Sequence, residues 1–173
     1  MVDQNIRKRG MSSCSPSLQW KACTFAELSS TELYQLLQLR AEVFVVEQAC
    51  AYQDIDGLDL LPQTYHVLGY DGETLAAYLR IMAPGTVGHG ELDSSMPVIG
   101  RVITRAPYRG QGIGHDLIQQ GIMLCEQHWL GASIHLSAQA HLQGYYGQHG
   151  FEACGEGYLE DGIPHIGMNR LGH

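Results

Sequence analysis

The 173-residue sequence lacks several features that would identify a membrane or nucleic-acid-binding protein. No uninterrupted apolar run approaches the roughly 18–20 residues that a membrane span needs. Basic residues are few, with ten Lys plus Arg against eighteen Asp plus Glu and a formal net charge of -8. This balance argues against nucleic acid, because affinity for nucleic acid comes largely from cations that neutralise phosphates. It mildly favours a cationic partner, although a solvated acidic surface explains most such charges.

Metal-binding and secretory patterns are also absent from the sequence. The five cysteines are odd in number and form no C-x-x-C pair, which favours reduced thiols in a cytoplasmic protein. None of the nine His residues forms H-E-x-x-H, so no metal is expected. No apolar stretch follows Arg7-Lys8-Arg9, so this cluster is not a secretory signal. We expect residues 1–17 to be a disordered tail and residues 18–173 to form a single domain.

The pattern of apolar residues predicts an α/β domain in which strands and helices alternate. Residues 18–25 predict a first strand, and Ser29 and Ser30 are candidate N-caps of a helix that runs to about residue 46. Residues 50–63 predict a loop. Asp71-Gly72, between apolar runs, predicts a hairpin of strands 65–70 and 74–82. The later predicted elements are a loop over 84–93, a strand over 97–104, a helix over 112–128, a strand over 133–137, a short helix over 140–149, and strands over 151–154 and 164–168.

A glycine-rich turn lies between the predicted strand 97–104 and the helix that follows it. Alternate glycines, Gly110, Gly112 and Gly114, let the backbone curl and bring several N–H groups close to an anion. The helix N-terminus adds free amides and the positive end of its dipole, and Arg109 adds a charge. The turn therefore predicts a pyrophosphate site. It has neither the G-x-G-x-x-G of a dinucleotide fold nor the Gly-Lys-Ser/Thr of a P-loop.

Two motifs in this part of the chain resemble those of the GNAT acetyltransferase superfamily. The run Arg109-Gly110-Gln111-Gly112-Ile113-Gly114 is similar to its acetyl-CoA signature, R/Q-x-x-G-x-G/A. Tyr146 to Phe151 resembles the Y-x-x-x-G-F end of its second motif, with Gln139 where Asn is usual. The likeness spans about residues 18–170, and four segments resemble the ElaA-type branch: residues 39–48, 52–57, 137–141 and 158–165.

The resemblance implies the GNAT fold, a mixed, twisted α/β sheet of about seven strands flanked by helices. It implies an N-acetyltransferase that moves the acetyl group of acetyl-CoA to a primary amine by direct attack in a ternary complex. Tyr146 would then be the general acid, whereas packing on the inner face of its helix suits Tyr145 better. The acetyl-CoA contacts would come from the splayed strand, the phosphate turn and the second motif: Val102, Ile103, Thr104, residues 109–114, Gln139 and Tyr146.

The general base and the acceptor site remain open at this stage. No carboxylate occurs between Met96 and Val102, where many family members have a Glu; Glu91 and Asp93 lie in the preceding loop. By resemblance, Glu47 and His165 are better placed for the base, and a water chain is an alternative. The candidates for binding the acceptor are Glu47, Asp54, Asp56, His66 and His141, with Asp59 beside them; ordinary loop carboxylates and structural histidines are the competing interpretation.

Two other functions are compatible with the sequence. Arg40, Phe44, Glu47 and the Asp54/Asp56 pair faintly resemble acyl-homoserine-lactone synthases, although the intact R-x-x-G-x-G turn counts against that family. The second of these functions is CoA binding without turnover, and the presence of Tyr146 counts against it. The acceptor is open among a small amine, a polyamine, an amino acid and a protein N-terminus. A homodimer is common for such folds, and nothing in the sequence demonstrates one.

Overall fold

The computed structural model describes residues 17–86 and 95–172. The tail predicted over residues 1–17 lies outside the described residues except for its last position. The loop positions Glu91 and Asp93 also lie outside them. Within 17–86 and 95–172, no helix is long and apolar enough to cross a membrane.

The described residues form one seven-stranded mixed sheet in the order β1-β2-β3-β4-β5-β7-β6. Every neighbouring pair is antiparallel except β4 and β5, which run parallel. This confirms the predicted sheet. The strands are β1 Gln19–Thr24, β2 Tyr65–Asp71, β3 Thr74–Met82, β4 Val98–Thr104, β5 Ile134–Gln139, β6 Glu152–Glu160 and β7 Ile163–Arg170. The α-helices in the described ranges are α1 Ser30–Arg40, α2 Ile113–His128 and α3 Gln143–Gly147.

The first helix differs from the prediction in its second half. A capping box closes its start, where the Ser29 hydroxyl accepts from the Glu32 amide and the Glu32 carboxylate accepts from the Ser29 amide. The α-helix ends at Arg40 and continues as a π-helical segment, Ala41–Glu47. The five-residue hydrogen-bond spacing of a π-helix is present where the Gln48 amide donates to the Val43 carbonyl at 3.1 Å. Apolar spacing alone does not distinguish this segment from a continued α-helix.

The last hairpin is longer than the sequence pattern indicated. Glu160 pairs with Ile163, so Asp161 and Gly162 form a two-residue turn, and both have positive φ angles, 49° and 81°. Two positive φ values are what a type I′ hairpin turn requires. We predicted strands of only four and five residues here, because the exposed polar positions of β6 hide the strand alternation.

Apolar side chains form a core on each face of the sheet. On one face α2 packs Leu117, Ile118 and Ile122 against strands β2 to β5. On the other face α1 and the π-helical segment pack Leu36, Leu39 and Val43 against residues of β1 to β4. The two helical layers therefore share β2 to β4, and the second layer covers only β1 to β4.

The parallel pair at the centre of the sheet separates early. Among the described residues β4 and β5 share two residue pairs, Val98 with His135 and Ile99 with Leu136. Beyond Ile99, β4 continues to Thr104 along β3 alone. The predicted splay is thus present, and we call the gap beside residues 100–104 the β4–β5 opening.

Candidate functional site

The predicted phosphate turn joins β4 to α2 and is open to solvent. Gly110 and Gly112 have φ angles of 73° and 84°, which favour glycine. A Cβ at either position would meet nothing within 4 Å, so these glycines are required by backbone conformation and leave space above the turn. Gly112 is the N-cap of α2 and has no side chain to bind the first amides of that helix. Such free amides, with the positive end of the dipole, fit an anion.

Three elements approach one another closely at Gly114. A Cβ there would lie 2.7 Å from the Tyr145 hydroxyl of α3 and 3.4 Å from Thr104 Oγ1 of β4. The first turn of α2 therefore meets the end of β4 and α3 at the β4–β5 opening. Burial raises the pKa of Tyr145 to about 12, which keeps its hydroxyl protonated.

The burial of the two tyrosines of the second motif is the reverse of what we expected, because we had expected Tyr145 to pack on the inner face of the helix. Tyr146 is the more buried, 6% exposed, and packs edge-on against Phe151 and Tyr145, with ring centroids 6.2 and 5.1 Å apart. Tyr145 is the partly buried one whose hydroxyl reaches α2. Burial raises the pKa of Tyr146, and no described residue hydrogen-bonds with its hydroxyl. The general-acid role of Tyr146 stays a prediction.

Arg109 and Glu47 form an ion pair at the phosphate turn. The Arg109 side chain donates to the two carboxylate oxygens of Glu47 at 2.7 and 3.0 Å, and its Nε donates to the Thr104 carbonyl at 2.8 Å. The hydrogen bond from Arg109 lowers the pKa of Glu47. A carboxylate held in this way is a weaker base, so the geometry favours a link between the π-helical segment and the turn over the base role predicted for Glu47.

The acidic loop after the π-helical segment is neutralised by arginines. Asp54 accepts from Arg40 and Arg101 at 2.7 Å each. Asp59 accepts from Arg40 and Arg80 at 2.7 and 2.9 Å. We call this group the buried ion cluster; its members are Arg40, Asp54, Asp56, Asp59, Arg80 and Arg101, and their side chains are at most 13% exposed.

The buried ion cluster favours a structural role for Asp54 and Asp56 over the acceptor contact that we predicted. Burial opposes the charge of Asp54, but Arg40 and Arg101 hold its pKa below the ordinary value. Asp56 accepts from Arg80 through both carboxylate oxygens, at 2.8 Å to Oδ1 and 2.7 Å to Oδ2. Carboxylates already paired with arginine are not available to attract a protonated amine. Sequence reasoning missed the arginines, which lie 14 to 47 residues away along the chain.

Arg101 connects this cluster to the β4–β5 opening. Its φ angle is 54°, a conformation that costs a non-glycine residue about 1–2 kcal/mol. Tyr78 pairs with Ile103 and Arg80 with Gly100, so β4 carries one residue more than β3 at this bulge. The Arg101 guanidinium also lies over Phe44 and Tyr52, 6.0 and 5.7 Å from their ring centroids. The cluster thus holds the bulge at the point where β4 leaves β5.

The two histidines predicted to bind substrate have different surroundings. His66 is 0% exposed; its Nδ1 lies 2.8 Å from the Tyr78 hydroxyl and its Nε2 lies 3.4 Å from the Asp59 carbonyl. Burial lowers the pKa of His66, which favours the neutral ring, and this geometry favours a structural role over the substrate contact that we predicted. His141 is exposed after β5, and no residue in the described ranges hydrogen-bonds with it.

Sequence reasoning also missed a histidine pair between α2 and the end of α3. His115 Nδ1 lies 2.9 Å from His149 Nε2, and the His115 ring lies 4.6 Å from that of Tyr145. Burial and the neighbouring His115 lower the pKa of His149. The two residues are 34 positions apart, and no local pattern connects them.

Neither metal ligation nor a disulfide accounts for the chemistry of the described residues. Within the part of the chain that the structure describes, no group of three or more His, Cys, Asp or Glu side chains could hold a metal ion. The described cysteines, Cys23, Cys50, Cys125 and Cys154, are free. Burial raises the pKa of Cys23 to about 11 and that of Cys125 to about 12, so both are protonated thiols.

Known proteins resemble this chain over most of its length. The family model for the acetyltransferase (GNAT) domain matches residues 62–171. Protein ElaA of Escherichia coli is 46% identical over 153 residues, which cover 88% of this chain and 96% of that protein. A solved acyl-CoA N-acyltransferase from Pseudomonas aeruginosa is 49% identical with a TM-score of 0.81, covering 90% of this chain and all of that one.

A lower likeness connects the chain to the rival family considered above. A CoA-dependent acyl-homoserine lactone synthase has a TM-score of 0.72 at 14% identity, covering 88% of this chain and 83% of that one. At that identity the likeness shows the fold alone.

The matches at 46% and 49% identity extend over about nine tenths of the chain, and so include both the phosphate turn and the β4–β5 opening. Members of this fold use acyl-CoA, and the site described here has the free amides and the open strand edge that such a ligand needs. The chain is therefore an acyltransferase that belongs to the GNAT acetyltransferase family, in its ElaA-like branch.

Proposed function

We propose that this protein is an N-acetyltransferase that moves the acetyl group of acetyl-CoA to a primary amine by direct attack in a ternary complex. The observation that carries the proposal is the β4 edge at residues 100–104, which has no β5 partner and leads directly into the phosphate turn. A strand edge with free backbone groups can bind an extended amide chain such as pantetheine.

The residues around the opening would divide the binding of acetyl-CoA among them. The amides of residues 110–114 and the α2 N-terminus would receive the pyrophosphate. The backbone of Val102, Ile103 and Thr104 would pair with pantetheine and offer an N–H to the thioester carbonyl, and the Gln139 amide would add a bond. Acetyl-CoA supplies the activated carbonyl, and a donor aimed at its oxygen favours the developing negative charge.

Tyr146 is the proposed general acid. Its raised pKa means that the hydroxyl carries its proton at neutral pH. An ordinary phenol has a pKa of about 10 and a thiol one of about 8.5, so Tyr146 would protonate the leaving thiolate only when the two groups are adjacent. The absence of a described hydrogen-bond partner leaves the hydroxyl able to make that contact.

His165 is the proposed general base. Its Nδ1 lies 2.8 Å from the Ile163 carbonyl, and because a carbonyl can only accept, Nδ1 must carry the proton. The neutral ring then has its lone pair on Nε2. Glu47 is less suitable, since Arg109 holds its carboxylate and lowers its pKa.

The test of the proposal begins with acetyl-CoA binding measured by calorimetry. We expect wild-type binding in the micromolar range and its loss in Gly112→Glu, because the new carboxylate repels phosphate. Gly85→Glu is the matched control: its φ angle is 83°, its Cβ would also meet nothing within 4 Å, and it follows the end of β3 far from Thr104. Failure of the well-folded wild type to bind acetyl-CoA would contradict the proposal.

Thiol release with a panel of primary amines then tests turnover. We expect Tyr146→Phe to lower kcat by about 10²-fold or more, the usual contribution of a general acid, with acetyl-CoA affinity retained. Unchanged kcat in this variant would remove Tyr146 from the mechanism while leaving the acetyltransferase proposal in place.

A further inference from the structure

Five polar side chains lie together on one face of β5, β7 and β6. Gln139 pairs with His165, and His165 pairs with Tyr158, so these three lie side by side across the strands. Ser137 and Glu160 are each two residues along their strands and therefore point to the same face. We call Ser137, Gln139, Tyr158, Glu160 and His165 the polar row.

The polar row lies on the face that α1 leaves uncovered. The alternate residues of β5, Ile134, Leu136 and Ala138, belong to the core under α2, so Ser137 and Gln139 point to the opposite side. On that side α1 and the π-helical segment pack against β1 to β4. Ser137 and Glu160 are accordingly exposed, and Tyr158 is 43% exposed.

The row begins at the edge of the β4–β5 opening. Leu136 is the last β5 residue that pairs with β4, and Ser137 follows it directly. On the far side, Cys50 donates from Sγ to the Asp161 carbonyl at 3.8 Å, which brings the loop after the π-helical segment against the β6–β7 turn. The row thus extends from the β4–β5 opening, where the thioester is proposed to lie, towards the β6–β7 turn.

The chemistry of the row suits a cation. The hydroxyls of Ser137 and Tyr158 share a short hydrogen bond, and the Glu160 carboxylate accepts from Ser137 at 3.4 Å. No cationic side chain of the described ranges forms an ion pair with Glu160. A primary ammonium has three N–H donors and needs oxygen acceptors, which this carboxylate and the two hydroxyls provide.

We infer that the polar row is the acceptor subsite and that it takes a small primary amine without a neighbouring carboxylate. Glu160, Ser137 and Tyr158 bind the ammonium beside His165. One ammonium N–H bond breaks, Nε2 of His165 takes the proton, and the amine nitrogen uses the electron pair it retains to form a C–N bond with the thioester carbonyl carbon. The C–S bond then breaks, the CoA thiolate takes the proton of Tyr146, and the second proton that leaves the nitrogen returns to the Tyr146 phenolate. An α-amino acid is disfavoured because its carboxylate would lie against Glu160. This inference rests on the proposed acetyltransferase function.

The test compares Glu160→Gln with Glu152→Gln, an exposed glutamate at the other end of the same strand. The probes are 1,4-diaminobutane and glycine, with acetyl-CoA, and the readouts are steady-state kinetics, acetyl-CoA calorimetry and thermal unfolding. We expect Glu160→Gln to raise KM for the diamine by about tenfold or more, as when a hydrogen bond to a charged group is lost. The kcat, the acetyl-CoA affinity and the midpoint of thermal unfolding of Glu160→Gln should match those of the wild type and of Glu152→Gln.

The outcomes separate this inference from the proposed function. A KM for the diamine that stays within twofold in Glu160→Gln overturns the subsite, as does an equal rise in Glu152→Gln. A wild type that binds acetyl-CoA but prefers glycine, or uses neither probe, overturns the assigned acceptor class while leaving acetyl-CoA binding intact. Loss of acetyl-CoA binding by the wild type would instead contradict the proposed function itself.

Discussion

Carboxylates occur in two very different surroundings on the same face of this sheet. In the buried ion cluster, three aspartates meet three arginines, and every member is at most 13% exposed. In the polar row, Glu160 is exposed and has hydroxyls for neighbours. The cluster is charge-neutralised by its own arginines and holds the β4 bulge. The row keeps acceptor capacity that a ligand can use.

The contrast teaches that acidic residues in a sequence do not by themselves locate a cation site. The Asp54 to Asp59 loop is the densest acidic segment near the π-helical segment, and we predicted an acceptor contact there. Pairing removes that capacity, because a buried carboxylate is stable only when its charge is compensated. The three predictions that follow test whether pairing and burial do separate the two groups.

The largest effect is expected from breaking the cluster with Arg40→Met. Arg40 is 0% exposed and makes three 2.7 Å contacts, to the side chains of Asp54 and Asp59 and to the Asp54 carbonyl. Removing one partner of a buried pair leaves uncompensated charge, and we expect a loss of about 3–5 kcal/mol in the free energy of unfolding. Denaturant unfolding measures it. Glu160→Gln is the contrast and should stay within about 0.5 kcal/mol; equal losses in both variants would erase the comparison.

Acidification should lower the stability that the buried groups Asp54 and His66 contribute, in two stages. The pKa of His66 is lowered by burial and that of Asp54 by its arginines, so the unfolded chain binds more protons than the folded one. The stabilisation that each group contributes is fully present when the pH is above the pKa of that group in the unfolded chain. The His66 part is lost as the pH falls below about 6.5, and the Asp54 part below about 4.

Urea unfolding between pH 7.5 and 5 measures the first stage, and His66→Gln is the informative variant. It should unfold with less pH dependence than the wild type over that interval, because the group that takes up the proton is gone. An identical slope in wild type and variant would contradict the assignment to His66.

The smallest effect is expected at Glu47, which is paired like the cluster and exposed like the row. Its ion pair with Arg109 is 41–45% exposed on both sides, and exposed pairs contribute at most about 1 kcal/mol. Glu47→Gln should leave stability nearly unchanged. It should tighten acetyl-CoA binding up to about fivefold at low salt, because Arg109 loses a competitor for its N–H donors.

Glu42→Gln is the matched control for that experiment. Glu42 lies on the same π-helical segment and forms an ion pair at 3.7 Å with Arg105 rather than with Arg109. It should leave acetyl-CoA affinity unchanged. Weaker binding by Glu47→Gln would show instead that Glu47 orients Arg109 for the phosphate.

Much of the fold follows from local patterns that the sequence carries on its own. The Asp71-Gly72 hairpin, the N-cap at Ser29 and the helix after the glycine turn depend on neighbours within a few residues, and all three are present as predicted. The phosphate turn is local in the same sense, because Gly110 and Gly112 define its backbone. The seven-stranded sheet was predicted by family resemblance rather than by such patterns.

The details of the site depend on residues that are distant in the chain. The packing of α3 on the sheet decides which of Tyr145 and Tyr146 is buried. The packing of the π-helical segment decides that Glu47 pairs with Arg109. The polar row forms because β6 extends to Glu160, beyond the end that we predicted for it. This extension places Glu160 beside Ser137, which lies 23 positions earlier in the chain. Spacing along the chain contains no signal for these contacts.

The sequence alone therefore determined the order of strands and helices and the glycine turn, because backbone preference and apolar periodicity are local properties. The family was indicated separately, by the resemblance of two motifs. Only the tertiary structure decided which charges are neutralised and which remain open to a ligand. The physical reason is that the state of a carboxylate depends on its burial and on the cations within hydrogen-bond distance, and both are set by the packing of elements far apart in the chain.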